Sequence, residues 1–229
     1  ELFATFEKRP IAAASIAQVH FATVLDEEGR EIEVAVKVLR PGIEAAFRRD
    51  LNLFYWLAEN AERYLPAMER FRPVSVVRTF ARIAEVEMDF RLEAAAASEF
   101  RENFASDATV KVPSVDWQRT GERVLTLERV SGTRIDDRAA LAAMGHDVDE
   151  ILRRASEHFF NQVFRDGYFH ADMHAGNILV SSTGQFIALD FGIMGTLNDV
   201  DKNYLATNFL AFFQRDYKRV AEAHLEAGW

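Results

Sequence analysis

Cysteine is absent from the 229 residues, and no long apolar run interrupts the chain. The first absence excludes disulfides, a thiol nucleophile and a cysteine-ligated zinc site. The second predicts no membrane-spanning helix in this sequence, because a span needs roughly 20 apolar residues. Positive charge is scarce, since 27 Lys and Arg stand against 36 Asp and Glu, a formal net charge of −9. Nucleic acid is therefore not expected as a partner, because its binding neutralises phosphate charge.

The composition is that of an ordinary globular protein, with 49% apolar and 28% charged residues. The length suits one large domain or two lobes. The chain opens on Glu1, with neither a methionine nor a signal peptide. We therefore expect an excised domain of a longer protein.

Three polar side chains near the C-terminal end carry the strongest chemical signal. Asn177 follows Asp172 by five positions, and Asp190 opens the tripeptide Asp190-Phe191-Gly192. Such a segment can aim one carboxylate at a substrate, and an amide with a second carboxylate at a metal. Phosphoryl transfer needs those parts, because its catalysis is mostly positioning and neutralisation of phosphate charge.

The N-terminal third predicts a β-hairpin that carries a lysine. Small residues at 12–17 lead into an alternating segment, and a polar turn containing Gly29 precedes a second strand at 32–39. Lys37 lies in that second strand. On an edge strand such a lysine often only discourages aggregation. Together with the preceding small-residue loop, it indicates a phosphate cradle with a point charge.

Helical periodicity dominates the next part of the chain. One helix is predicted over residues 43–65, and its aromatic triplet at 54–56 is expected to lie in the core. A second helical run is predicted over 73–104, with Pro73 in its first turn. It carries several acidic residues. These form a solvated face, or one of them points inward and pairs with Lys37.

Short strands and further helices follow. Strands are predicted at 109–115, 123–130, 178–180 and 186–189, and helices at 148–166 and 200–227, the first ended by Gly167. This order predicts an α+β, bilobal fold with a crossing near residues 128–132. The expected domains are residues 1–130, a small lobe of antiparallel strands with added helices, and residues 131–229, a larger, mostly helical lobe.

The motifs occur in the order and at the distances typical of protein kinases. Those enzymes combine a Gly-rich loop, a strand lysine, a catalytic loop His-Arg-Asp followed by Asn, and Asp-Phe-Gly. Here His170-Ala171-Asp172 precedes Asn177 by the same interval. The nucleotide loop differs, because Ala12, Ala14 and Ala17 stand where G-x-G-x-x-G has glycine. Alanine resists positive φ and keeps a Cβ near the phosphates, so the loop is expected to be stiffer.

This combination resembles the UbiB-type atypical kinase family, protein-kinase-like proteins associated with ubiquinone biosynthesis. The matching segments are residues 12–19, 34–37, 87–95, 127–132 and 170–177. The resemblance covers essentially the whole chain and implies a bilobal kinase-like fold that binds ATP or ADP with Mg²⁺.

The resemblance also implies residue roles. Lys37 would hold the phosphates and pair with a helix glutamate, for which Glu93 is favoured. Main-chain groups of Glu128 and Val130 would bind adenine, and Glu87 and Asp89 would form the family's E-x-D motif near the nucleotide. The nucleotide loop would be formed by Ala12, Ala13, Ala14, Ser15 and Val19, with Ala35 beside it. Asp172 would orient or deprotonate the acceptor, while Asn177 and Asp190 hold Mg²⁺.

Two departures from the resemblance affect its implications. The family's N-terminal K-x-G-Q motif has no match, and Ala171 replaces the arginine before Asp172. An activation loop anchored through that arginine is therefore not expected. The interval from Lys37 to Glu93 is also much longer than in ordinary protein kinases, and the helix at 43–65 is an addition.

The resemblance implies an ATPase or phosphotransferase that supports ubiquinone production, with an unknown acceptor. Membrane lipid, quinone precursors or quinone-biosynthesis proteins are the implied partners besides nucleotide. The implied location is the cytoplasmic side of the inner membrane, or peripheral to it.

Three alternatives stay open. One is a nucleotide-binding, lipid-sensing scaffold without phosphotransfer. Another is a small-molecule kinase of the aminoglycoside phosphotransferase type. The third is a metal-dependent hydrolase, because His170-x-Asp172-x-His174 resembles a ligand cluster.

Overall fold

The computed structural model describes residues 2–13 and 15–228. Within them the β-strands are β1 Thr5–Phe6, β2 Ala12–Ala13, β3 Ala17–Leu25, β4 Glu31–Leu39, β5 Val110–Lys111, β6 Val124–Glu128, β7 Thr133–Arg134, β8 Tyr168–His170, β9 Ile178–Val180, β10 Phe186–Ala188 and β11 Met194–Thr196. The α-helices there are α1 Ile43–Tyr64, α2 Pro73–Glu87, α3 Phe90–Asn103, α4 Arg138–Ala143, α5 Val148–Phe160, α6 Asp199–Phe213 and α7 Tyr217–Glu226.

The chain divides into two compact units. Unit 1 comprises residues 1–99 and 113–130, and unit 2 comprises residues 100–112 and 131–229. The mixed helix and strand content confirms the predicted fold class. Among the described residues, no helix has both the length and the apolar character needed to cross a bilayer.

Unit 1 is built on an antiparallel sheet in the order β1-β3-β4-β6, with β2 added along β3. The β3–β4 hairpin was predicted, and its register pairs His20 with Val36. Alternate residues point into the core, which is why Val34 and Val36 are buried. Their cluster includes Ala22 and Val24, and a second cluster joins the sheet to α3.

The helical hairpin α1–α2 also belongs to unit 1. Helix α1 lies where it was predicted, and α2 begins at Pro73, whose ring suits a first-turn position. The two helices meet through Phe80, whose ring lies 5.6 Å from that of Phe47. The core placement of the aromatic triplet was wrong, because Phe54 and Trp56 are 42% and 59% exposed.

The helical run predicted over residues 73–104 is broken. Helix α2 ends at Glu87 and α3 begins at Phe90. The break follows from Asp89, whose carboxylate Oδ1 accepts the main-chain N–H of Arg91 at 3.1 Å. An aspartate that satisfies a free N–H at the start of a helix is a favourable cap, so it starts a new helix rather than continuing the old one.

Unit 2 contains two small sheets. One has the order β5-β10-β9-β7, in which β5 and β10 are parallel and the remaining pairs are antiparallel. The other pairs β8 with β11. The strand predicted over 109–115 shortens to the two residues of β5. A core cluster packs the first sheet against α4 and α5.

Two further helix predictions need correction in unit 2. The α-helix predicted over 148–166 ends at Phe160, and the π-helical segment Asn161–Asp166 replaces its last turns, with Gly167 terminating it at φ 65°. The single helix predicted over 200–227 is two helices, α6 and α7. Arg215 lies between them in the left-handed region, at φ 60°, which a continuous α-helix does not permit.

Candidate functional site

Lys37 lies on an inner strand. β4 is flanked by β3 and β6, and Lys37 is in register with Val19 on one side and Leu125 on the other. The edge-strand interpretation of this lysine therefore does not apply, because an aggregation-blocking lysine acts on an unpaired edge.

The ammonium group of Lys37 is paired with a carboxylate from α3. Nζ donates to Oε1 and Oε2 of Glu93 at 2.9 and 3.0 Å, and lies 5.4 Å from the ring centroid of Phe90. Glu93 is in the first turn of α3, and that helix packs on the sheet through Phe90 and Ala94, which are buried with Leu39. The packing of α3 thus holds one charged group opposite the other.

Glu87 and Asp89 occupy the junction between α2 and α3. Glu87 is the last residue of α2. Asp89 binds the guanidinium of Arg91 at 2.9 and 2.7 Å, and this hydrogen bonding lowers the pKa of its carboxyl group. Asp89 therefore fixes the start of α3, one turn before Glu93.

The alanine-rich segment is a strand along the edge of the unit 1 sheet. Ala12 and Ala13 pair with Val19 and Gln18 of β3. Ala12, Ala13 and Ser15 are exposed, so the segment presents small side chains to solvent. Ala14, which was predicted to belong to this loop, lies outside the described residues.

The proposed adenine-binding strand lies beside Ala35. In the β4–β6 register Ala35 pairs with Leu127, and Glu128 is opposite Val34. The main-chain N–H of Glu128 donates to the carbonyl of Ser114 at 2.8 Å, so a contact of Glu128 with adenine would have to use its carbonyl. Val130 follows the strand and is half-buried.

In unit 2, the main chain of Asp172 is held on both sides. Its N–H donates to Nδ1 of His170 at 3.1 Å. Its carbonyl accepts from the N–H of His174 at 2.8 Å and from Nδ2 of Asn177 at 3.3 Å. The Asp172 side chain remains 51% exposed. The loop therefore presents a carboxylate to solvent from a fixed backbone.

His170 is the buried centre of this loop. It is 3% exposed, and burial lowers the pKa of its ring, while the negative charges of Asp190 and Asp172 oppose that effect. Because Nδ1 accepts a hydrogen bond, the proton of the neutral ring resides on Nε2. His170 therefore acts here as a neutral acceptor that orients Asp172.

Asn177 and Asp190 lie at the same end of the β9–β10 hairpin. Ile178 pairs with Ala188, and the N–H of Leu189 donates to the carbonyl of Asn177 at 3.0 Å. Asn177 donates through Nδ2 to Asp172, which turns its Oδ1 away from that bond. An amide oxygen and a carboxylate are the hard oxygen ligands that Mg²⁺ takes, so this pair of donors fits the implied ion.

Phe191 anchors the tripeptide that Asp190 opens. Its side chain is 1% exposed, and its ring lies 5.4 Å from Phe100 and 6.0 Å from His170. The N–H of Gly192 donates to Oδ1 of Asp190 at 3.1 Å. The packing of Phe191 and this hydrogen bond together fix the position of Asp190.

The histidines of this loop do not assemble the ligand cluster of a hydrolase. In the described part of the chain, no group of three or more His, Asp or Glu side chains could hold a metal ion. Nδ1 of His174 accepts the N–H of Gly176 at 3.0 Å, which commits this nitrogen to the turn. The two histidines therefore organise the loop rather than a zinc or iron site.

Gln162 was not predicted to contribute. It is 2% exposed, and its Oε1 accepts the main-chain N–H of His170 at 3.0 Å. The sequence contained a signal, because Gln162 continues the inward stripe of Ile151, Ala155 and His158 at helical spacing. A glutamine at such a position needs a buried hydrogen-bond partner.

Comparison with known proteins identifies the family of the chain. A family model described as the ABC1 atypical kinase-like domain matches residues 1–224. A solved structure, the complex of Rv3197 with erythromycin from Mycobacterium tuberculosis, has 26% sequence identity and a TM-score of 0.77. The match covers 100% of this chain and 56% of that one, so the chain spans just over half the length of Rv3197. The predicted UbiB-type resemblance is confirmed: the chain belongs to the ABC1 atypical kinase-like family.

Proposed function

We propose that this chain binds ATP or ADP with Mg²⁺ and acts as an ATPase or phosphotransferase that supports ubiquinone biosynthesis. The observation that carries the proposal is the shielded pair of Lys37 and Glu93 on the inner strand β4. A carboxylate that holds a lysine in place positions its ammonium group to bind phosphate oxygens.

Each unit supplies part of the proposed chemistry. In unit 1, Lys37 would bind the phosphates, with Glu93 fixing its position, and the small residues from Ala12 to Val19 would pass over them. The carbonyl of Glu128 and the main chain of Val130 would bind adenine. Glu87 and Asp89 would form the family's E-x-D motif near the nucleotide.

In unit 2, Asp172 would accept the proton of the acceptor, or orient a water molecule. Asn177 and Asp190 would hold Mg²⁺, which supplies charge neutralisation of the phosphate oxygens when bound. The fixed main chain and exposed carboxylate of Asp172 support this role, because a base must be both positioned and accessible.

The pathway, the partners and the location are also part of the proposal. Family membership supports a role in ubiquinone production at or near a membrane, with lipids, quinone precursors or quinone-biosynthesis proteins as partners. Because Rv3197 was solved with erythromycin, that macrolide is a further ligand to test on this chain.

Phosphate release from ATP tests the proposal. We expect hydrolysis that requires Mg²⁺ and rises with membrane lipids or quinone-precursor-like phenols, and that is lost in Lys37→Ala and Asp190→Asn. A scaffold without phosphotransfer is the second candidate, since it would keep all these ligands. Nucleotide binding without hydrolysis, or hydrolysis that Asp190→Asn leaves unchanged, would favour the scaffold.

A further inference from the structure

Gln162 is a buried amide with partners at both of its ends. Oε1 accepts the N–H of His170 at 3.0 Å, and Nε2 lies 3.8 Å from the thioether sulfur of Met173. These two partners stand on either side of Asp172 in sequence. A single side chain therefore contacts the loop both before and after the proposed base.

The local backbone explains why Gln162 reaches the loop. The segment Asn161–Asp166 is π-helical and follows directly on α5. A π turn accommodates one more residue than an α turn, and such turns occur often at functional sites. Gln162 and Val163 are both buried in it, so the wide turn directs two successive side chains inward.

Hydrogen bonds connect Gln162 to Asp172 through one intermediate residue. Gln162 fixes the main chain of His170, and the His170 ring accepts the N–H of Asp172 at 3.1 Å. His170 is itself buried and packed against Phe191. A shift of its main chain would move the ring, and the ring sets the position of Asp172.

We propose that Gln162 is a positioning residue for the proposed phosphoryl transfer, which holds the loop in the geometry from which Asp172 acts. The inference rests on the proposed function. Among the described residues Nε2 of His170 is buried without a hydrogen-bond partner, so the bonds to Oε1 of Gln162 and to Nδ1 of His170 are the ones that hold the loop. An apolar residue of the same size would fill the space and leave the N–H of His170 without its acceptor.

The decisive variant is Gln162→Met in the full chain, assayed for ATP hydrolysis. We expect kcat to fall by about 10- to 100-fold, with KM for ATP within about twofold, because a small displacement of the base affects turnover rather than nucleotide binding. Gln162→Glu keeps an acceptor oxygen at the same distance, so it should recover most of the lost kcat.

Val163→Ala is the matched control. Val163 is 4% exposed in the same π-helical segment and does not offer a side-chain hydrogen bond. We expect this variant to lower the melting temperature while kcat stays within about twofold of wild type. An equal loss of kcat in Val163→Ala would show that general packing, not the amide, sets turnover, and would overturn the inference.

Amide hydrogen exchange gives a readout that does not require activity. In Gln162→Met, the segment containing His170 and Asp172 should exchange faster than in wild type, whereas β9 should not. Unchanged exchange, or unchanged kcat in an active protein, would overturn the inference. If wild type does not hydrolyse ATP, the proposed function fails, while the exchange result still decides whether Gln162 holds the loop.

A milder substitution covers the case in which Gln162→Met does not fold. Gln162→Asn keeps the amide but is shorter by one methylene, so it does not reach His170. We expect it to reproduce both the kcat loss and the faster exchange. Wild-type turnover and exchange in Gln162→Asn would overturn the inference.

Discussion

Nζ of Lys37 lies 2.9 Å from Oε1 of Glu93, although 56 positions separate the two residues in sequence. Their side chains are 16% and 6% exposed, so water reaches neither charge freely. Removing one member of such a pair lowers the free energy of unfolding more than replacing both members does, because the remaining charge stays buried without its counter-charge.

Lys37→Met and Glu93→Gln are each expected to lower the free energy of unfolding by about 3 kcal/mol, the usual loss when one member of a buried pair is removed. Urea unfolding of both single variants and of the double variant measures the coupling, and the double variant should lose less than the sum. Lys218→Met is the matched control. Lys218 pairs with Glu222 at 3.7 Å but is 88% exposed, so its removal should barely change stability. Additive losses in the double variant would contradict the coupling.

Asp190→Asn and Asp172→Asn should separate metal binding from turnover. We expect Asp190→Asn to remove the Mg²⁺-dependent rise in melting temperature that ATP produces, because it removes the negative charge of the carboxylate that is proposed to hold the ion. Asp172→Asn should keep that rise and lower turnover by about 100-fold or more, since it removes only a proton acceptor. Thermal shift with and without Mg²⁺, combined with phosphate release, measures both. The same thermal response in the two variants would contradict these assigned roles.

His158 should make the stability of unit 2 sensitive to acid. It is 7% exposed, with Nε2 2.9 Å from Oγ1 of Thr109, and burial lowers its pKa below 6.5 despite the opposing charge of Asp107. Below that value the unfolded chain binds a proton that the folded chain does not. The contribution of the neutral His158 ring to the free energy of unfolding is therefore complete above pH 6.5. It is lost as the pH falls toward the pKa of the folded state.

His158→Gln tests this pH dependence. We expect the free energy of unfolding of wild type to decrease from about pH 7 to about pH 5 more steeply than that of the variant. His170 contributes in the same direction in both proteins, because burial lowers its pKa as well, so a slope remains in the variant. Chemical denaturation at several pH values measures the two slopes. Identical slopes would contradict the prediction.

Gly167→Ala should lower the stability of the folded protein more than Gly145→Ala does. Both glycines have positive φ, 65° and 84°, so an alanine strains the backbone at either position. A Cβ at Gly167 would also lie 2.6 Å from the carbonyl oxygen of Leu197, whereas nothing lies within 4 Å at Gly145. We expect a loss of about 1 kcal/mol at Gly145, and about 2 kcal/mol more at Gly167. Equal melting temperatures of the two variants would contradict the steric argument.

The sequence predicted those elements in which the spacing of apolar side chains and the turn residues at the ends indicate the same structure. The β3–β4 hairpin alternates regularly around a glycine-containing turn, and α1 combines a long apolar period with a start after Gly42. The loop from Asp172 to Asn177 could be located because its spacing is local.

The breaks in the helices could not be predicted from periodicity. Asp89 and Arg215 both fit a helical pattern, and only the competing cap at Asp89 and the left-handed backbone at Arg215 interrupt it. The π-helical segment is equally hidden, because one additional residue in a turn leaves no compositional signal. Gln162 continues the inward stripe of α5, but its partner could not be predicted, because that partner is the main chain of His170 in a separate strand.

Ala17 connects the end of the proposed nucleotide loop to the core of unit 1. Its methyl group is fully buried, in one cluster with Phe90 and Ala94 of α3. A glycine there would remove this methyl contact between β3 and α3. With alanine, any displacement at the start of β3 would pull a methyl group out of the core that seats α3, the helix that carries Glu93. The packing of this methyl group therefore links the start of β3 to the helix that holds Glu93 opposite Lys37.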